Sequence, residues 1–485
     1  MTINKLKLSV MSIFDADAWA GLHFQHASLG DPRRTDRLVS TAANMARSSG
    51  KSIALSCRGN EAEQEGAYRL IRNDKVSPDM IRVAGFQHTA KQAGSVAEIL
   101  ALEDTTSLSY KHQVASELGK LGQKTDKSRG WWVHSVMLLD SHTTRTIGLI
   151  HQEWWLRPNK PEDADEKESG KWPDASHFCR ERLGDTMSRV ISVCDREADI
   201  LSYIQDKQKH NERFVIRAKH SRIIENSDKK MFEYLESQPI LGAYTIDIAQ
   251  KGIKTNKGKA INRAARKAKL AVKVATVTLN AKNGVKPVNV IYAQEKTSAT
   301  VTEPLRWILL TTEPIESLNQ ALHIIDIYAA RWRVEDFHKA WKTGAGAERQ
   351  RMTEPQNLER AVSILAFIGV RLLQLRETIT LPYYLRKKGL VEEALSLENQ
   401  GCDTVFDRDE WKLLMRNYKP RGHKGKSAPS MKWAYISLAK LGGFTNTKGT
   451  GIASWSTIWE GWDQLQAQVA GYRAAKEMIA AGEEL

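Results

Sequence analysis

Residues 328–342 constrain the fold of this chain more than any other stretch of its sequence. The stretch contains no glycine or proline and is rich in Ala, Arg, Lys and Glu, a composition that predicts a helix. Its polar residues recur three or four positions apart, which places them on one helical face: Tyr328, Arg331, Glu335, Lys339 and Lys342. The other rows carry apolar residues that a core can bury, namely Ile325, Ala329, Trp332, Phe337, Ala340 and Trp341.

Two interpretations of this polar face are open. It is either a solvated surface on which i,i+4 ion pairs support the helix, or a site in which the single carboxylate binds a metal ion. In the second interpretation the cations above and below Glu335 bind phosphate groups. That interpretation requires partner carboxylates elsewhere in the chain.

The charge balance indicates a polyanionic partner. Lysine and arginine number 72 against 57 aspartates and glutamates, which gives the 485-residue chain a net charge of +15. Nucleic acid is the simplest partner for such a charge. The length leaves room for two to four domains.

Cysteine usage and hydropathy indicate a cytoplasmic protein. The four cysteines form no C-x-x-C pair and are expected to be reduced, buried thiols. The first residues lack the apolar core of a signal peptide, and no apolar run reaches about 18 residues. We therefore expect neither secretion nor a membrane span.

The first 77 residues predict a small helical domain. Leu38, Ala42 and Met45 have helical spacing, and Gly50 is placed to cap the C-terminus of that helix. Four arginines cluster around it: Arg33, Arg34, Arg37 and Arg47. They form either a face that recognises DNA or a solvated basic face.

The central region predicts a mixed sheet with packed helices, an α/β fold. Five strand-like runs support this prediction: 99–102, 132–139, 145–150, 190–194 and 213–217. A β insertion is expected at about 245–315, with a basic run at 251–269 and Trp307 in a last strand. The acidic segment 162–168 is expected to be a solvated loop.

Residues from about 383 onward predict a separate helical region. A long apolar helix precedes it at 358–375, and a basic loop is expected at 419–432. The last helix sets an apolar stripe on one face: Trp455, Ile458, Trp459, Trp462, Leu465 and Val469. This stripe is either an internal core or a partner-binding face, and its tryptophans favour self-association.

Two apolar strand runs lead into acidic residues. Asp104 and Asp195 follow these runs, where side chains line the edge of a sheet. With Glu335 they make the ligand set expected for two hard divalent cations that assist phosphoryl transfer. Glu103 competes with Asp104 for this role, because strand alternation does not say which face is the site. Glu197 and Asp199 compete in the same way with Asp195.

The residues at these positions form a recognisable pattern. The run Tyr328-x-x-Arg331-x-x-x-Glu335-x-x-x-x-x-x-Lys342 resembles the Y-R-E-K signature of bacterial cut-and-paste transposases of the insertion-sequence-four family. Segments 103–110 and 193–199 look like those around the family's two catalytic aspartates. The likeness covers nearly the whole chain and includes residues 29–35, 126–134, 338–352 and 450–455.

This resemblance implies an RNase H-like catalytic core at 78–382 that contains the β insertion. Asp104, Asp195 and Glu335 would bind two Mg²⁺ or Mn²⁺ ions. Residues 1–77 would be a helical domain that binds transposon ends, and residues 383–485 a helical dimerisation domain.

The resemblance further implies a homodimer that pairs two double-stranded DNA ends in a synaptic complex. Each end would be nicked, closed into a hairpin, reopened and joined to target DNA, with Trp307 stacking on a flipped base. Residues expected to contact DNA are Tyr328, Arg331, Lys339, Lys342, Arg217, Lys219, Trp307, Arg33, Arg34 and Arg37. Two rival functions are a catalytically silent DNA-binding inhibitor or repressor and an RNase H-like nuclease without strand transfer.

Overall fold

The structure is a computed structural model. It describes residues 15–122, 128–157, 168–225, 227–248, 251–254, 260–263, 266–280, 284–296, 304–387, 389–424, 426–447 and 452–482. The chain divides into two compact units. The first unit comprises Met1–Ser95, Thr105–Ala164 and Val334–Leu485, and the second comprises Val96–Asp104 and Asp165–Arg333.

Within the described residues, helices lie towards both ends of the chain and alternate with strands in its centre. They are α1 Ala16–Phe24, α2 Pro32–Arg47, α3 Ile53–Ser56, α4 Glu61–Ile71, α5 Pro78–Ala93, α6 Lys171–Leu183, α7 Leu201–Lys209, α8 Met231–Ser237, α9 Leu318–Ala329, α10 Trp332–Lys339, α11 Pro355–Lys387, α12 Val391–Asn399, α13 Arg408–Asn417, α14 Met431–Leu441 and α15 Trp455–Ala480.

The strands belong to a ten-stranded mixed sheet and a separate two-stranded ribbon made of β8 and β9. They are β1 Ile99–Tyr110, β2 Gly119–Lys120, β3 Arg129–Asp140, β4 Thr146–Trp155, β5 Val190–Cys194, β6 Arg213–Arg217, β7 Gly242–Ile248, β8 Lys251–Lys254, β9 Ala260–Arg263, β10 Arg266–Val277, β11 Val288–Glu295 and β12 Arg306–Thr311. The predicted α/β class is confirmed.

The second unit contains three neighbouring parallel strands and the β insertion. β1 pairs in parallel with β5, and β5 pairs in parallel with β6. Beyond β6, the antiparallel strands β12, β11, β10 and β7 continue the sheet. The strands predicted at 245–315 are therefore present. Side chains of β5, β6, β11 and β12 share one core with helices α6, α7 and α8.

The N-terminal helices of the first unit begin at capping side chains. The side chains of Asp15, Asp31, Ser52, Asn60 and Ser77 accept backbone N–H groups of α1, α2, α3, α4 and α5, respectively. The predicted helical character of this region is confirmed, with Leu38, Ala42 and Met45 buried on α2.

Gly50 does not cap α2, because that helix ends at Arg47 and its C-cap is Ser48. Gly50 instead has a left-handed φ of 82°, and a Cβ there would lie 2.8 Å from Gly344 O. Glycine is thus required at this position by conformation and by close backbone approach.

Helix α11 forms the centre of the first unit. The buried guanidinium of Arg360 donates hydrogen bonds to Val76 O and Ile71 O, and Arg82 pairs with Glu359. These contacts join α11 to the N-terminal helices. The prediction of an apolar helix at 358–375 is confirmed, although the helix extends from Pro355 to Lys387.

The stretch 328–342 is not one helix. Helix α9 ends at Ala329, α10 begins at Trp332, and a π-helix follows at Ala340–Gly344. The prediction that Ala329 and Trp332 are buried is wrong, since Ala329 is exposed and Trp332 is 58% exposed. The other apolar positions of this stretch, including Phe337 and Trp341, are buried as predicted.

The apolar stripe of the last helix lies inside its own chain. Ile458, Trp462, Leu465 and Val469 pack with residues of α13 and α14 in one hydrophobic core. The core interpretation is therefore correct for these four side chains, and the preference for self-association through them is wrong. The predicted helical C-terminal region is confirmed.

Across the described residues, no helix is long and apolar enough to span a membrane.

Several sequence predictions lie wholly or partly outside the described residues. These include most of the acidic segment 162–168, much of the basic run 251–269, Gly425 of the basic loop, and parts of the similar segments 126–134 and 450–455. They stay predictions.

Candidate active site

Asp104 lies within β1, not at its end. The strand continues to Tyr110, so the prediction that it ends at Glu103 and Asp104 is wrong. Glu103 is only 1% exposed, whereas the side chain of Asp104 is 18% exposed. Successive strand residues face opposite sides of a sheet, and this difference in burial identifies Asp104 as the carboxylate on the accessible side.

Asp195 follows the last residue of β5 and caps a short 3₁₀ helix, Arg196–Ala198. Its Oδ1 accepts a hydrogen bond from Glu197 N at 2.8 Å. Asp199, a competing candidate, has a fully buried carboxylate that pairs with Arg222 at 2.6 Å. Glu197 is 62% exposed and lies 3.5 Å from Lys171. The acid at the end of the strand is thus Asp195.

The register of the parallel strands brings three predicted site residues to one sheet edge. Glu103 pairs with Cys194, and Cys194 pairs with Ile216. The next residues along these strands are Asp104, Asp195 and Arg217. Neighbouring strands lie about 4.8 Å apart, so the two carboxylates and the guanidinium leave adjacent strands at the same level.

Two further predicted residues join this edge through the β insertion. β12 runs antiparallel to β6 with Leu309 opposite Arg217, and Trp307 lies on β12 two residues before Leu309. Ala218 N donates a hydrogen bond to Ile308 O at 2.8 Å, and Arg217 Nη2 donates to Arg306 O at 3.3 Å. Lys219, in the loop after β6, is exposed, and Trp307 is half-buried.

Arg331 contacts the candidate site from the break between α9 and α10. Its Nη1 lies 3.6 Å from Asp104 Oδ1, and its side chain is only 8% exposed. Tyr328, one turn earlier on α9, is also buried. The second unit therefore brings Asp104, Asp195 and Arg331 together. Arg217 lies on the adjoining strand β6, Lys219 in the loop after it, and Trp307 on β12.

A buried polar network lies on the opposite face of β1 and β5. Tyr203 OH donates to Glu103 Oε1 at 2.9 Å and lies 3.4 Å from Cys194 Sγ. Lys207 Nζ donates to Ser192 Oγ and to Glu212 Oε2, each at 2.8 Å. Sequence reasoning missed this network. The four-residue spacing of Tyr203 and Lys207 indicates that both side chains lie on one face of a helix. This spacing does not indicate that the lysine is buried.

Burial and charge shift the pKa values of this network. Burial raises the pKa of the Cys194 thiol and that of the Tyr203 hydroxyl, and nearby Glu103 raises both further. Burial opposes the charge of Lys207, but the carboxylates of Glu103 and Glu212 outweigh it and raise the lysine pKa. The thiol and phenol are therefore neutral and the lysine is charged at neutral pH.

The remaining residues of the 328–342 stretch belong to the first unit. Glu335 is half-buried on α10, Lys339 is exposed at the end of that helix, and Lys342 is half-buried in the π-helix. Trp341 anchors the segment, since its ring is fully buried, stacks on Phe337 at 5.7 Å and donates from Nε1 to Val362 O.

The three predicted N-terminal arginines have different environments. The Arg33 side chain is 90% exposed and pairs with Asp31 at 3.0 Å. Arg34 Nη1 donates to Leu29 O, and Arg37 pairs with Glu63 at 2.9 Å. Arg33 is therefore the most accessible of the three to a DNA phosphate.

The donor chemistry of the sheet edge suits a hard divalent cation. Asp104 and Asp195 supply carboxylate oxygens, the ligands that Mg²⁺ and Mn²⁺ prefer. Within the described ranges, no three His, Cys, Asp or Glu side chains form a metal-binding group. Two carboxylates alone leave coordination positions for water and phosphate oxygens.

Comparison with protein families identifies two domains in the chain. Residues 16–76 match the transposase DNA-binding domain, and residues 179–369 match the transposase DDE domain. The first match covers the helices α1 to α4, and the second covers Asp195 and Glu335 but begins after Asp104. The chain therefore carries the DNA-binding and RNase H-like DDE domains of a transposase.

Proposed function

We propose that this chain, which carries the DNA-binding and DDE domains of a transposase, moves a DNA segment by cutting and joining its ends. The N-terminal domain, residues 1–77, recognises the transposon ends. The catalytic domain, residues 78–382, cleaves both strands through a hairpin intermediate and joins the ends to target DNA. The C-terminal domain, residues 383–485, holds two protomers in a synaptic complex.

The alignment of Asp104 and Asp195 on neighbouring parallel strands carries this proposal. In the proposed site Glu335 is the third carboxylate, and the three residues hold two Mg²⁺ or Mn²⁺ ions. Divalent cations bound there supply activation of a water or hydroxyl nucleophile and charge neutralisation at the leaving oxygen. The side chains orient these groups and position the DNA between them.

Cations and one aromatic ring on the chain bind the DNA around the scissile bond. Arg217 and Lys219 lie beside the carboxylates and neutralise backbone phosphates. Trp307, on the strand β12 that pairs with β6, stacks on a base displaced at the hairpin, which offsets part of the unstacking cost of that base. Further proposed DNA contacts are Tyr328, Arg331, Lys339, Lys342, Arg33, Arg34 and Arg37.

The exposed end of α15 supports a homodimer. Beyond the buried stripe, Tyr472, Met478 and Ile479 are 44%, 39% and 59% exposed. Apolar side chains on a protruding helix are candidates for contact with a second protomer. Sedimentation equilibrium on Ile479→Asp, with and without end DNA, tests whether this surface pairs protomers.

Cleavage of end DNA provides the decisive test. A linear duplex carrying the inverted repeats that flank the gene is incubated with protein and Mg²⁺, then separated on denaturing and native gels. We expect hairpin-ended fragments that Glu335→Ala abolishes while DNA binding is retained. Asp336→Asn is the matched control, because Asp336 is the next acid on α10 and pairs with Arg376 at 3.4 Å.

Each rival function predicts a different gel. Binding and pairing of ends without cleavage, in Mn²⁺ as well as Mg²⁺, would establish the inhibitor or repressor. Cleavage without hairpins or joined products would establish the nuclease. Undiminished cleavage by Glu335→Ala would refute the three-carboxylate site.

A further inference from the structure

The carboxylate of Asp199 is fully buried and makes contacts with three residues of one loop. Its Oδ2 accepts hydrogen bonds from Lys219 N at 2.7 Å and from His220 N at 2.9 Å. Its Oδ1 accepts from Arg222 Nη2 at 2.6 Å and from Arg222 Nε at 3.2 Å. Arg222 Nη2 also donates to Asp199 O at 2.5 Å. Charge-assisted bonds of this kind are among the strongest in proteins.

These contacts join two loops that leave the same sheet edge. Asp199 belongs to the loop that begins with Asp195 at the end of β5, and Lys219 belongs to the loop that follows β6. β5 and β6 are parallel neighbours, so both loops start beside the candidate carboxylates. Asp199 thus fixes the second loop relative to the first.

The backbone of the second loop is held while its side chains remain accessible. Ala218 is buried and bonded to β12, whereas Lys219 and His220 are exposed. A cation on a fixed backbone loses less conformational freedom when it binds a phosphate than one on a mobile loop. The loop therefore holds the backbone of Lys219 in a defined position at the sheet edge where β5 and β6 end.

We propose that Asp199 is a positioning residue for DNA binding: through its bonds to Lys219, His220 and Arg222, it aims the Lys219 ammonium at the phosphate next to the cleaved bond. Asp199 itself contacts neither DNA nor metal. This inference rests on the proposed function and assigns Asp199 a role other than that of metal ligand.

The test compares Asp199→Asn with Lys219→Ala in the full-length protein. The probe is a duplex that carries the flanking inverted repeat, and its affinity is measured over a series of salt concentrations. Loss of one phosphate contact lowers the slope of log affinity against log salt by about one. We expect each variant to show this change and to weaken binding about tenfold. The double variant should be no weaker than Lys219→Ala alone.

A matched control separates positioning from general loss of stability. Asp206→Asn breaks another partly buried Asp–Arg pair of the second unit, in which Asp206 lies 3.1 Å from Arg180. It should change the melting temperature without changing the salt slope. Asp199→Asn combined with Arg222→Gln restores a neutral hydrogen-bonded pair, and we expect it to recover much of the affinity.

The outcomes distinguish this inference from the proposed function. If the wild-type protein neither binds nor cleaves end DNA, the proposed function fails. If the wild type cleaves but Asp199→Asn keeps the wild-type salt slope, or if its effect adds fully to that of Lys219→Ala, the positioning role is overturned. If Lys219→Ala keeps the wild-type slope of log affinity against log salt, the positioning role of Asp199 is also overturned.

Discussion

Arg331 Nη1 lies 3.6 Å from Asp104 Oδ1, and both side chains are largely buried. A guanidinium cannot lose its charge at neutral pH, so a cation is permanently present at a carboxylate proposed to bind metal. Its position has two opposing consequences. It orients Asp104, and it repels a divalent ion that approaches the same oxygen.

The substitution Arg331→Gln should therefore change metal affinity and cleavage rate in opposite directions. Because a buried positive charge is removed, we expect Mn²⁺ to bind at least severalfold more tightly, measured by electron paramagnetic resonance of the free ion. We expect DNA cleavage to fall at least tenfold, since Asp104 loses a contact that orients its carboxylate. Arg331→Lys keeps the charge and should keep the wild-type Mn²⁺ affinity. Equal affinity in all three proteins would contradict the electrostatic argument.

Lys207 provides a test of the buried network behind the carboxylates. Its ammonium is fully buried against Glu212 and Ser192. Removing one partner of a buried pair typically costs about 3–5 kcal/mol when the remaining charge is left uncompensated. Glu212 keeps a second cation, Arg180 at 2.6 Å. We therefore expect Lys207→Met to lower the free energy of unfolding in urea titrations by less than this, by about 2–3 kcal/mol.

Lys286→Met is the control for that substitution. Lys286 is exposed, and its Nζ donates to Gln208 O at 3.2 Å. Its loss should cost less than about 1 kcal/mol, as is usual for surface interactions. Comparable losses in both variants would show that the buried pair does not stabilise the sheet.

The central strands could be predicted from sequence because they are buried on both faces. β5 and β6 begin and end where the sequence predicted, since buried parallel strands are short continuous apolar runs. β1 was predicted too short. Its second half alternates buried Thr106, Leu108 and Tyr110 with less buried residues, and this period of two was the signal of a longer strand.

The break between helices α9 and α10 could not be predicted from the pattern of apolar residues. Residues 328–342 contain no glycine or proline, so propensity alone predicts one uninterrupted helix. In the structure Arg331 lies in a turn and contacts Asp104, more than two hundred residues earlier in the chain. Tertiary contacts of this kind override local propensity, and they also expose Trp332, whose spacing had indicated burial.

Two neighbouring histidines in the first unit, His23 buried and His88 half-buried, predict acid sensitivity. The rings of His23 and His88 are 4.2 Å apart. Burial and the mutual repulsion of the rings lower the pKa of His23, while burial and Lys91 lower the pKa of His88 to about 4. In the unfolded chain both titrate near the usual value of about 6.5.

The unfolded state consequently binds more protons than the folded state between about pH 4 and 6.5. Stability from His88 is fully present above pH 6.5 and is lost as the pH falls towards 4. The loss is about 3 kcal/mol for a shift of this size. We expect His88→Gln to flatten the decline of the melting temperature between pH 7 and pH 5. A decline as steep as that of the wild type would contradict this origin.

Two glycines of α15, one at a close helix contact and one in open space, allow a matched test of packing in the C-terminal region. A Cβ on Gly461 would lie 2.0 Å from Leu438 O, and one on Gly442 would lie 1.9 Å from Thr457 O. Helices α14 and α15 thus cross in direct backbone contact, and only glycine permits that distance. Gly471, ten residues along the same helix from Gly461, has no atom within 4 Å of its Cβ position.

Alanine at these two positions should have opposite effects. Gly461→Ala forces the helices apart, and we expect a loss of at least about 1–3 kcal/mol in the unfolding of the C-terminal region, because a carbonyl cannot rotate away. Gly471→Ala should stabilise α15 by about 0.5–1 kcal/mol through helix propensity alone. Differential scanning calorimetry of both variants measures these changes. A gain in stability for Gly461→Ala would refute the close crossing of the two helices.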